Sequence, residues 1–295
     1  MGALDGHKVG LIGLGLMGKP MARNLAAAGA QMTVASRSPG PVEELAAEGM
    51  TAAADGRAVA AASDIVIVMV TNTPSAEAVI AGPDGVIEGL SPGKLVIDMG
   101  TTAVKATRAL ADKVLAAGCD WIDAPVSGGS VGATDGTLTI MAGGAEEAIA
   151  RAAPLFEVLG RRHTRIGGPG SGQVAKAINQ NIVGLTIAAV AEGMALARKA
   201  GADPARVREA LNVEGGFAQS RILDLHGQRM IDGDFAPGGR VSVQHKDVHQ
   251  GLELAEQVGI RLPSLERNVE LWDKMIEKGW ADLDHAALIK LIEEQ

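Results

Sequence analysis

The 295-residue sequence predicts an α/β protein in which a doubly wound parallel sheet precedes an all-α region. Two observations predict this fold class. Apolar strand candidates alternate with helical patterns as far as residue 168. After Gly167-Gly168-Pro169-Gly170 only helical patterns follow, and the first of them is long and apolar on most faces. We therefore expect one domain at residues 1–168 and a second at 169–295, which begins with a long helix between the two domains.

The strand candidates are short apolar runs, and helical patterns lie between most of them. The predicted strands are Val9–Ile12, Met32–Ala35, Ile65–Val70, Leu95–Asp98, Trp121–Ala124, Thr137–Met141 and Thr164–Ile166. The predicted helices of the first domain are Lys19–Ala28, Pro41–Glu48, Ser75–Ala81, Val104–Ala117 and Ala145–Leu159. Those of the second domain are Val174–Lys199, Pro204–Leu211, Arg221–Met230, Lys246–Val258, Pro263–Lys278 and His285–Glu293.

Composition excludes several classes of function. The formal net charge of −8, without a basic face, indicates that nucleic acid is not a partner. The single cysteine, Cys119, cannot form an intrachain disulfide, which is typical of cytoplasmic proteins. The absence of tyrosine excludes reductases that use a tyrosine as their acid. We see no signal-peptide pattern and no uninterrupted apolar run long enough to span a bilayer, so we expect a cytoplasmic protein without a membrane partner.

A glycine motif follows the first predicted strand and opens the first predicted helix. It is Gly13-Leu14-Gly15-Leu16-Met17-Gly18, the Gly-x-Gly-x-x-Gly fingerprint of dinucleotide sites in its required context. The first glycine permits a tight turn, the second lets the backbone approach a pyrophosphate, and the third lets helix and strand pack closely. The motif therefore predicts a Rossmann-type domain that binds NAD or NADP.

The residues after the second strand distinguish the two cofactors. An NAD site usually has an acidic residue there to hold the ribose 2′-hydroxyl, but this chain has Ser36-Arg37-Ser38. A guanidinium group pairs well with a 2′-phosphate, so we expect NADP, with NAD still possible. The alternative is that Arg37 is a solvated loop residue.

Two further segments carry candidate substrate groups. Asp123-Ala124-Pro125-Val126-Ser127-Gly128-Gly129 follows a strand, and the Ser127 hydroxyl with the Gly128 and Gly129 amides could hold a carboxylate. Lys176 lies near the start of the long apolar helix, with Asn179 and Gln180 three and four residues later on the same face. A partly desolvated ammonium group could donate a proton to a carbonyl oxygen. A plain glycine turn and a solvated helix-end lysine are the alternatives.

A third segment, His245-Lys246-Asp247, opens a late predicted helix. Lys246 could contact the cofactor. His245 and His249 are four residues apart and could share a metal ion, but the sequence shows no carboxylate or third histidine to complete the ligands. We therefore expect no metal site and two solvated histidines.

Together these segments resemble the β-hydroxyacid dehydrogenase family over nearly the whole chain. The matching motifs, in order, are Gly13-Leu14-Gly15-Leu16-Met17-Gly18-Lys19-Pro20-Met21-Ala22, then Asp123–Gly129 with Gly132-Ala133 and Gly136-Thr137-Leu138, then Gly170-x-Gly172-x-x-x-Lys176, and finally Lys246-Asp247. Two positions depart from the family pattern. Many members have asparagine where this chain has Gln180, and many have an aromatic residue where Gly239 follows Pro237-Gly238.

The resemblance implies roles for named residues. It implies that Lys176 is the catalytic acid/base and that Ser127, Gly128 and Gly129 hold the substrate carboxylate. Residues implied to contact the cofactor are the glycine motif, Val70, Thr71, Thr101 and Lys246. Either Asn179 or Gln180 would supply the amide of the active site. The family also implies a homodimer or homotetramer.

The implied activity is a reversible hydride transfer between NADP(H) and a small β-hydroxyacid or its semialdehyde. We expect a substrate like 2-hydroxy-3-oxopropionate, that is, a tartronate semialdehyde reductase activity, with 3-hydroxyisobutyrate as the alternative. A function of another class, an NADPH-binding regulator without turnover, would fit the glycine motif alone.

Overall fold

The structure is a computed structural model of the chain, and it describes residues 2–294. The fold divides into two compact units between Lys176 and Ala177. The first unit contains the sheet, and the second is helical. The predicted fold class is therefore confirmed.

The sheet of the first unit has the order β3-β2-β1-β4-β5-β6-β8-β7, and β9 also pairs with β8. Strands β1 to β6 are mutually parallel, whereas β8 is antiparallel to both β6 and β7. The first six strands thus have the doubly wound order of dinucleotide-binding domains. The strands are β1 (Lys8–Ile12), β2 (Gln31–Ala35), β3 (Thr51–Ala52), β4 (Ile65–Val68), β5 (Leu95–Asp98), β6 (Asp120–Asp123), β7 (Val126–Ser127), β8 (Leu138–Gly144) and β9 (Gly160–Gly167).

Helices cover both faces of this sheet. Successive residues of a strand point to opposite faces, and here they enter two separate apolar cores. Ile67 and Ile97 belong to one apolar cluster, while Val66 and Val96 belong to the other. Burial on both faces explains why these strands are continuous apolar runs in the sequence. The helices are α1 (Gly18–Ala27), α2 (Pro39–Ala47), α3 (Gly56–Ala62), α4 (Thr73–Ala81), α5 (Val104–Ala116), α6 (Gly129–Thr134) and α7 (Glu146–Leu159).

Four of these elements were not predicted: β3, α3, β7 and α6. Strands β3 and β7 have only two residues each, too few to show a period. Helix α3 follows Asp55, whose side chain accepts a hydrogen bond from the Ala58 amide. Its alanine-rich sequence gives no amphipathic pattern. Helix α6 begins after Gly128 with the sequence Gly-Ser-Val-Gly-Ala-Thr, in which glycine lowers the helix propensity.

The second unit consists of helices around the fully buried Trp272, with Ile187, Val241 and Leu288 in the same apolar cluster. A 3₁₀ turn, His285–Ala287, precedes the last helix. The helices are α8 (Ser171–Lys199), which crosses the division between the units, α9 (Pro204–Leu211), α10 (Arg221–Asp232), α11 (Val241–Gln257), α12 (Pro263–Glu277) and α13 (Leu288–Glu293).

Helix α11 begins five residues before its predicted start at Lys246, so His245-Lys246-Asp247 does not open a helix and that expectation was wrong. The buried Asp284 holds the loop that precedes α11, because its carboxylate accepts hydrogen bonds from the Gly238 and Gly239 amides. A Cβ atom on Gly239 would lie 2.6 Å from the His285 ring. A side chain at this position would therefore require the His285 ring to move.

Helix α8 has the length and composition of a membrane span, although the sequence suggested no such segment. Ile187 and Ala191 are fully buried, and Met194 is nearly so, within the core of the second unit. A core helix of this kind passes the same test of length and composition.

Candidate active site

The residues predicted to bind the cofactor follow strands that end at one edge of the sheet. Ile12 of β1 is in register with Ala35 of β2 and Val68 of β4, and Val68 is in register with Asp98 of β5. Because these strands are parallel, the loops after them meet at their carboxyl ends, where doubly wound folds bind ligands. Those loops contain the glycine motif, Ser36-Arg37-Ser38, Val70-Thr71 and Thr101.

The glycine turn has the geometry that a dinucleotide requires. Gly13 has φ +101°, and a Cβ atom on it would lie 2.2 Å from the Met69 oxygen. A Cβ on Gly18 would lie 1.9 Å from the Gly13 oxygen, so the start of α1 packs directly on the turn. A Cβ on Gly15 would meet nothing within 4 Å. The first and third glycines therefore serve close packing, while the second faces open space where a pyrophosphate can approach.

The start of α1 suits an anion. No side chain caps this helix among the described residues, and a helix start of this kind favours phosphate oxygens. A cleft of about 650 Å³ adjoins the turn and is bordered by Gly15 and Leu16 on one side and by Ser130 and Thr134 of α6 on the other. The residues of the first unit therefore fit a bound NAD(P).

Ser36-Arg37-Ser38 lies between β2 and α2. Arg37 is exposed, and no ion pair engages it within residues 2–294. Ser38 is the N-cap residue of α2, but its hydroxyl does not cap the helix. A guanidinium group and two neighbouring serines thus stand where the ribose of the cofactor is expected, without a carboxylate to repel a phosphate.

The turn after β7 has backbone angles that favour glycine. Gly128 has φ +137° and Gly129 has φ +64°. A Cβ on Gly128 would lie 3.2 Å from Leu138 Cδ2, whereas one on Gly129 would meet nothing within 4 Å. Ser127, half-buried, pairs with Thr139 at the edge of the sheet.

Lys176 lies beside this turn. Its side chain is buried, with 8% of the residue exposed, and its Nζ donates a hydrogen bond to the Val126 oxygen at 2.9 Å. Val126 immediately precedes Ser127, so the structure brings the predicted acid and the predicted carboxylate-binding turn together. An ammonium group at this depth is costly unless it has partners or a task.

Two residues to which the sequence analysis assigned no role position the start of α8. The Asp123 carboxylate accepts hydrogen bonds from the Gly170 amide at 2.7 Å and the Gln173 amide at 3.0 Å. The Gln173 side chain accepts from the Thr102 amide at 3.2 Å and donates to the Gly100 oxygen at 2.9 Å. The only sequence signal was the position of Asp123 as the polar end of an apolar strand.

The buried carboxyls at the ends of β5 and β6 have raised pKa values. Burial raises the pKa of Asp98 to about 7, against hydrogen bonds from Thr102 and Gly100 that act to lower it. Burial likewise raises the pKa of Asp123 to about 6, against the bonds from Gly170 and Gln173. Asp123 is in register with Asp98 on the neighbouring strand, and its charge further raises the pKa of Asp98.

The remaining predicted site residues belong to the second unit. Asn179 Nδ2 donates to Gln180 Oε1 at 2.8 Å, and Gln180 Nε2 donates to Asp247 Oδ2 at 2.5 Å. Lys246 Nζ donates to the other oxygen of Asp247 at 2.6 Å. Asp247 therefore joins Lys246 to the amide pair within this unit, a link that the sequence did not reveal.

Two family comparisons also divide the chain, between residues 168 and 170. Residues 8–168 match the family described as the NAD-binding domain of 6-phosphogluconate dehydrogenase. Residues 170–292 match the family described as the NAD-binding region of NADP-dependent 3-hydroxyisobutyrate dehydrogenase. Both matches cover dinucleotide-binding families, and the chain binds NAD(P).

Individual relatives cover nearly the whole chain. The 2-hydroxy-3-oxopropionate reductase of Escherichia coli is 45% identical over 97% of this chain and 97% of its own length. A 3-hydroxyisobutyrate dehydrogenase from Salmonella typhimurium superposes with a TM-score of 0.86 at 31% identity, covering 97% of this chain and 99% of that one. One from Mycobacterium tuberculosis, in a structure with L-serine, has a TM-score of 0.89 at 27% identity with the same coverage. The chain therefore belongs to the β-hydroxyacid dehydrogenase family and is an NAD(P)-dependent oxidoreductase that acts on the CH–OH group of a 3-hydroxyacid.

Proposed function

We propose that this enzyme reduces 2-hydroxy-3-oxopropionate, with NADPH as its preferred hydride donor. One observation supports this chemistry. The Nζ atom of the buried Lys176 lies 2.9 Å from the Val126 oxygen, next to the Ser127-Gly128-Gly129 turn. A proton donor and a carboxylate-binding turn this close suit a short substrate that has a carbonyl and a carboxylate a few bonds apart.

Proton transfer and carboxylate binding are carried out by different residues of the site. Bound NADPH supplies the hydride that reduces the carbonyl carbon. Lys176 donates a proton to the carbonyl oxygen, and the Ser127 hydroxyl with the Gly128 and Gly129 amides holds the carboxylate. Asn179 or Gln180 supplies an amide near the reacting groups. In oxidation, Lys176 accepts the hydroxyl proton.

We assign cofactor binding to the loops at the carboxyl ends of the strands. The glycine motif receives the pyrophosphate, and Ser36, Arg37 and Ser38 receive the 2′-phosphate. Val70, Thr71, Thr101 and Lys246 complete the contacts. In this proposal residues 1–168 form the cofactor domain, and residues 169–295 form the domain for substrate binding and dimerisation.

The substrate choice rests on the relatives. The Escherichia coli relative, 45% identical, is a 2-hydroxy-3-oxopropionate reductase, whereas the two 3-hydroxyisobutyrate dehydrogenases are 31% and 27% identical. These dehydrogenases make 3-hydroxyisobutyrate the second candidate. The two acids differ in polarity, since one carries a hydroxyl where the other carries a methyl group.

The test is a steady-state screen with both substrates and both cofactors. We expect the highest kcat/KM for 2-hydroxy-3-oxopropionate with NADPH. A higher kcat/KM for oxidation of 3-hydroxyisobutyrate with NADP+ or NAD+ would establish the alternative. Binding of NADPH without turnover of any small hydroxyacid would instead favour a regulator.

We also propose that the protein is a cytoplasmic homodimer or homotetramer. An apolar stripe runs along α8 and consists of Ile178, Ile182, Leu185, Ala189 and Leu196. Three of its members are strongly exposed, Ile178 by 53%, Ile182 by 59% and Leu196 by 69%. Successive members of the stripe lie three, four or seven residues apart, which is the pattern by which one helix packs on another. A second copy of the chain would bury this stripe.

A further inference from the structure

A compact group of two histidines and one carboxylate joins α11 to α12 in the second unit. His245 Nε2 and His249 Nε2, four residues apart on α11, each lie 2.8 Å from Asp273 Oδ1 on α12. One ligand atom from each residue lies within 4.8 Å of the others. We propose that this His245–His249–Asp273 group is a binding site for a divalent transition-metal ion.

The structure removes the objection that the sequence raised. The histidine pair alone lacks a third ligand, and nothing in the sequence shows that Asp273, 24 residues after His249, faces it. The packing of α12 on α11 brings that carboxylate to both rings. The centroids of the two rings lie 4.5 Å apart, so the imidazoles converge on the same side of α11.

The donor set selects the class of ion. Two imidazole nitrogens and one carboxylate oxygen are typical ligands of Zn²⁺ and neighbouring transition metals. Mg²⁺ and Ca²⁺ prefer sets of oxygen ligands, so they fit poorly. Tetrahedral bonds of about 2.0–2.1 Å place ligand atoms roughly 3.3 Å apart. The observed 2.8 Å contacts therefore need to lengthen only by small side-chain rotations to admit an ion.

The ligands stand on well-packed backbone but remain accessible. Val248 and Trp272, which neighbour His249 and Asp273 in the sequence, are fully buried. The three ligand side chains are themselves 29% to 43% exposed, so an ion can enter directly from solvent. Helices held in this way present the ligands already converged, which reduces the cost of ordering them on binding.

The surroundings leave room for further ligands. A cavity of about 530 Å³ borders both histidines and is also lined by Glu253 and Glu256, whose carboxylates favour a cation. Lys246 borders the same cavity, but its ammonium group is paired with Asp247 at 2.6 Å. Three protein ligands and an open cavity leave a coordination position for water or a small anion.

Calorimetric titration with Zn²⁺ tests the site on the full-length protein, freed of any histidine tag and treated with a chelator. We expect one Zn²⁺ per chain. Asp273→Asn retains both histidines and should weaken Zn²⁺ binding by at least about 10- to 100-fold, since loss of a direct ligand should cost no less than loss of a supporting residue. His163→Gln, in the first unit, is the matched control and should bind Zn²⁺ like the wild type.

Two further measurements keep the proposal falsifiable if a variant folds poorly. Co²⁺ should give the wild-type protein visible absorption bands of a low-coordinate site, which Zn²⁺ should abolish by competition. Saturating Zn²⁺ should raise the Tm of the wild type and of His163→Gln, but not that of Asp273→Asn. Absence of saturable Zn²⁺ binding would overturn the proposal. Equal affinity of the wild type and Asp273→Asn would also overturn it, because the histidine pair alone would then hold the ion. None of these measurements depends on turnover, so they are independent of the proposed function.

Discussion

The Lys176 ammonium donates a hydrogen bond to the Val126 oxygen at 2.9 Å, across 50 residues of sequence. Asp123, the last residue of β6, accepts a hydrogen bond from the Gln173 amide, one turn before Lys176. The same strand-to-turn segment therefore holds the start of α8 through Asp123 and contacts the lysine through Val126. This double attachment fixes the position of the lysine side chain relative to Ser127.

Lys176→Ala should reduce kcat by about 10²–10⁴ while the Kd for NADPH changes little, because a positioned acid is lost. Lys176→Arg retains a cation but not a ready proton donor, so its kcat should also be low. Lys199→Ala, at the other end of the same helix, is the control and should behave like the wild type. Steady-state rates and NADPH fluorescence titrations measure both quantities. A kcat for Lys176→Ala within tenfold of wild type would remove the lysine from the acid/base role.

Ser127→Ala should raise KM for acid substrates by about ten- to a hundredfold, since a hydrogen bond to a charged group contributes about 1.5–3 kcal/mol. Uncharged amide analogues should be poor substrates for both proteins. Ser91→Ala, exposed and outside this turn, is the matched control. If the wild type processed an acid and its amide analogue with equal kcat/KM, the turn would not be a carboxylate site.

Asp98 should make stability depend on pH. Burial raises its folded pKa to about 7, whereas an unfolded aspartate has a pKa of about 3.9. Between about pH 4 and pH 7, Asp98 is therefore mainly protonated in the folded state and mainly ionised in the unfolded state. The contribution of Asp98 to stability is therefore fully present below about pH 4 and is lost as the pH rises through about 7. The slope is at most about 1.4 kcal/mol per pH unit.

The measurement compares thermal unfolding of the wild type and Asp98→Asn from pH 5 to pH 8. The amide mimics the protonated acid, since it can accept from the Gly100 amide and donate to the Thr102 hydroxyl in place of the carboxylate contacts. We expect the variant to gain Tm relative to the wild type as the pH rises. Asp112→Asn, an exposed change on α5, should run parallel to the wild type. Parallel curves for Asp98→Asn would contradict the raised pKa.

Most of the fold could be predicted from the sequence because burial on both sheet faces makes each central strand a distinct apolar run. Strand β5 has the predicted bounds, and helix α9 does too. Elements were missed where length or composition hides the period, as in two-residue β3 and glycine-rich α6. The start of α11 was misplaced because a tertiary contact, the hold of Asp284 on the preceding loop, determines the chain's entry into the helix.

The site could be predicted only where a role has a local pattern. The glycine motif and the lysine motif each occupy one segment, so both were visible. Gln173, on α8, contacts the loop after β5, and because this contact depends on the fold no local pattern marks it. The same reason hid Asp273, whose two histidine partners lie on another helix.

Assembly should depend on the apolar stripe of α8. Ile182→Glu would place a carboxylate in an apolar interface of two chains, and charges juxtaposed there cost several kcal/mol. We expect the dissociation constant of the oligomer to rise by about 100-fold or more. Val258→Glu changes an exposed apolar residue outside the stripe and should leave the assembly intact. Light scattering across a range of concentrations measures the mass. A wild type that is monomeric at micromolar concentration would disprove the proposed assembly.

Arg37 should determine the preference for NADP over NAD. It is exposed after β2, between two serines and without an ion-pair partner in residues 2–294, so its guanidinium can pair with a 2′-phosphate. Loss of one charge-assisted bond costs about 1.5–3 kcal/mol, or about one to two decades in affinity. Arg37→Asp adds repulsion toward the phosphate and an acceptor for a free 2′-hydroxyl. The ratio of kcat/KM for NADPH to that for NADH should therefore fall further in Arg37→Asp than in Arg37→Ala, which only removes the arginine.

Arg162→Asp makes the same charge change on β9, at the other end of the sheet from β2, and should leave the ratio unchanged. A wild type that prefers NADH, or an Arg37→Asp ratio equal to that of the wild type, would show that Arg37 does not contact the cofactor.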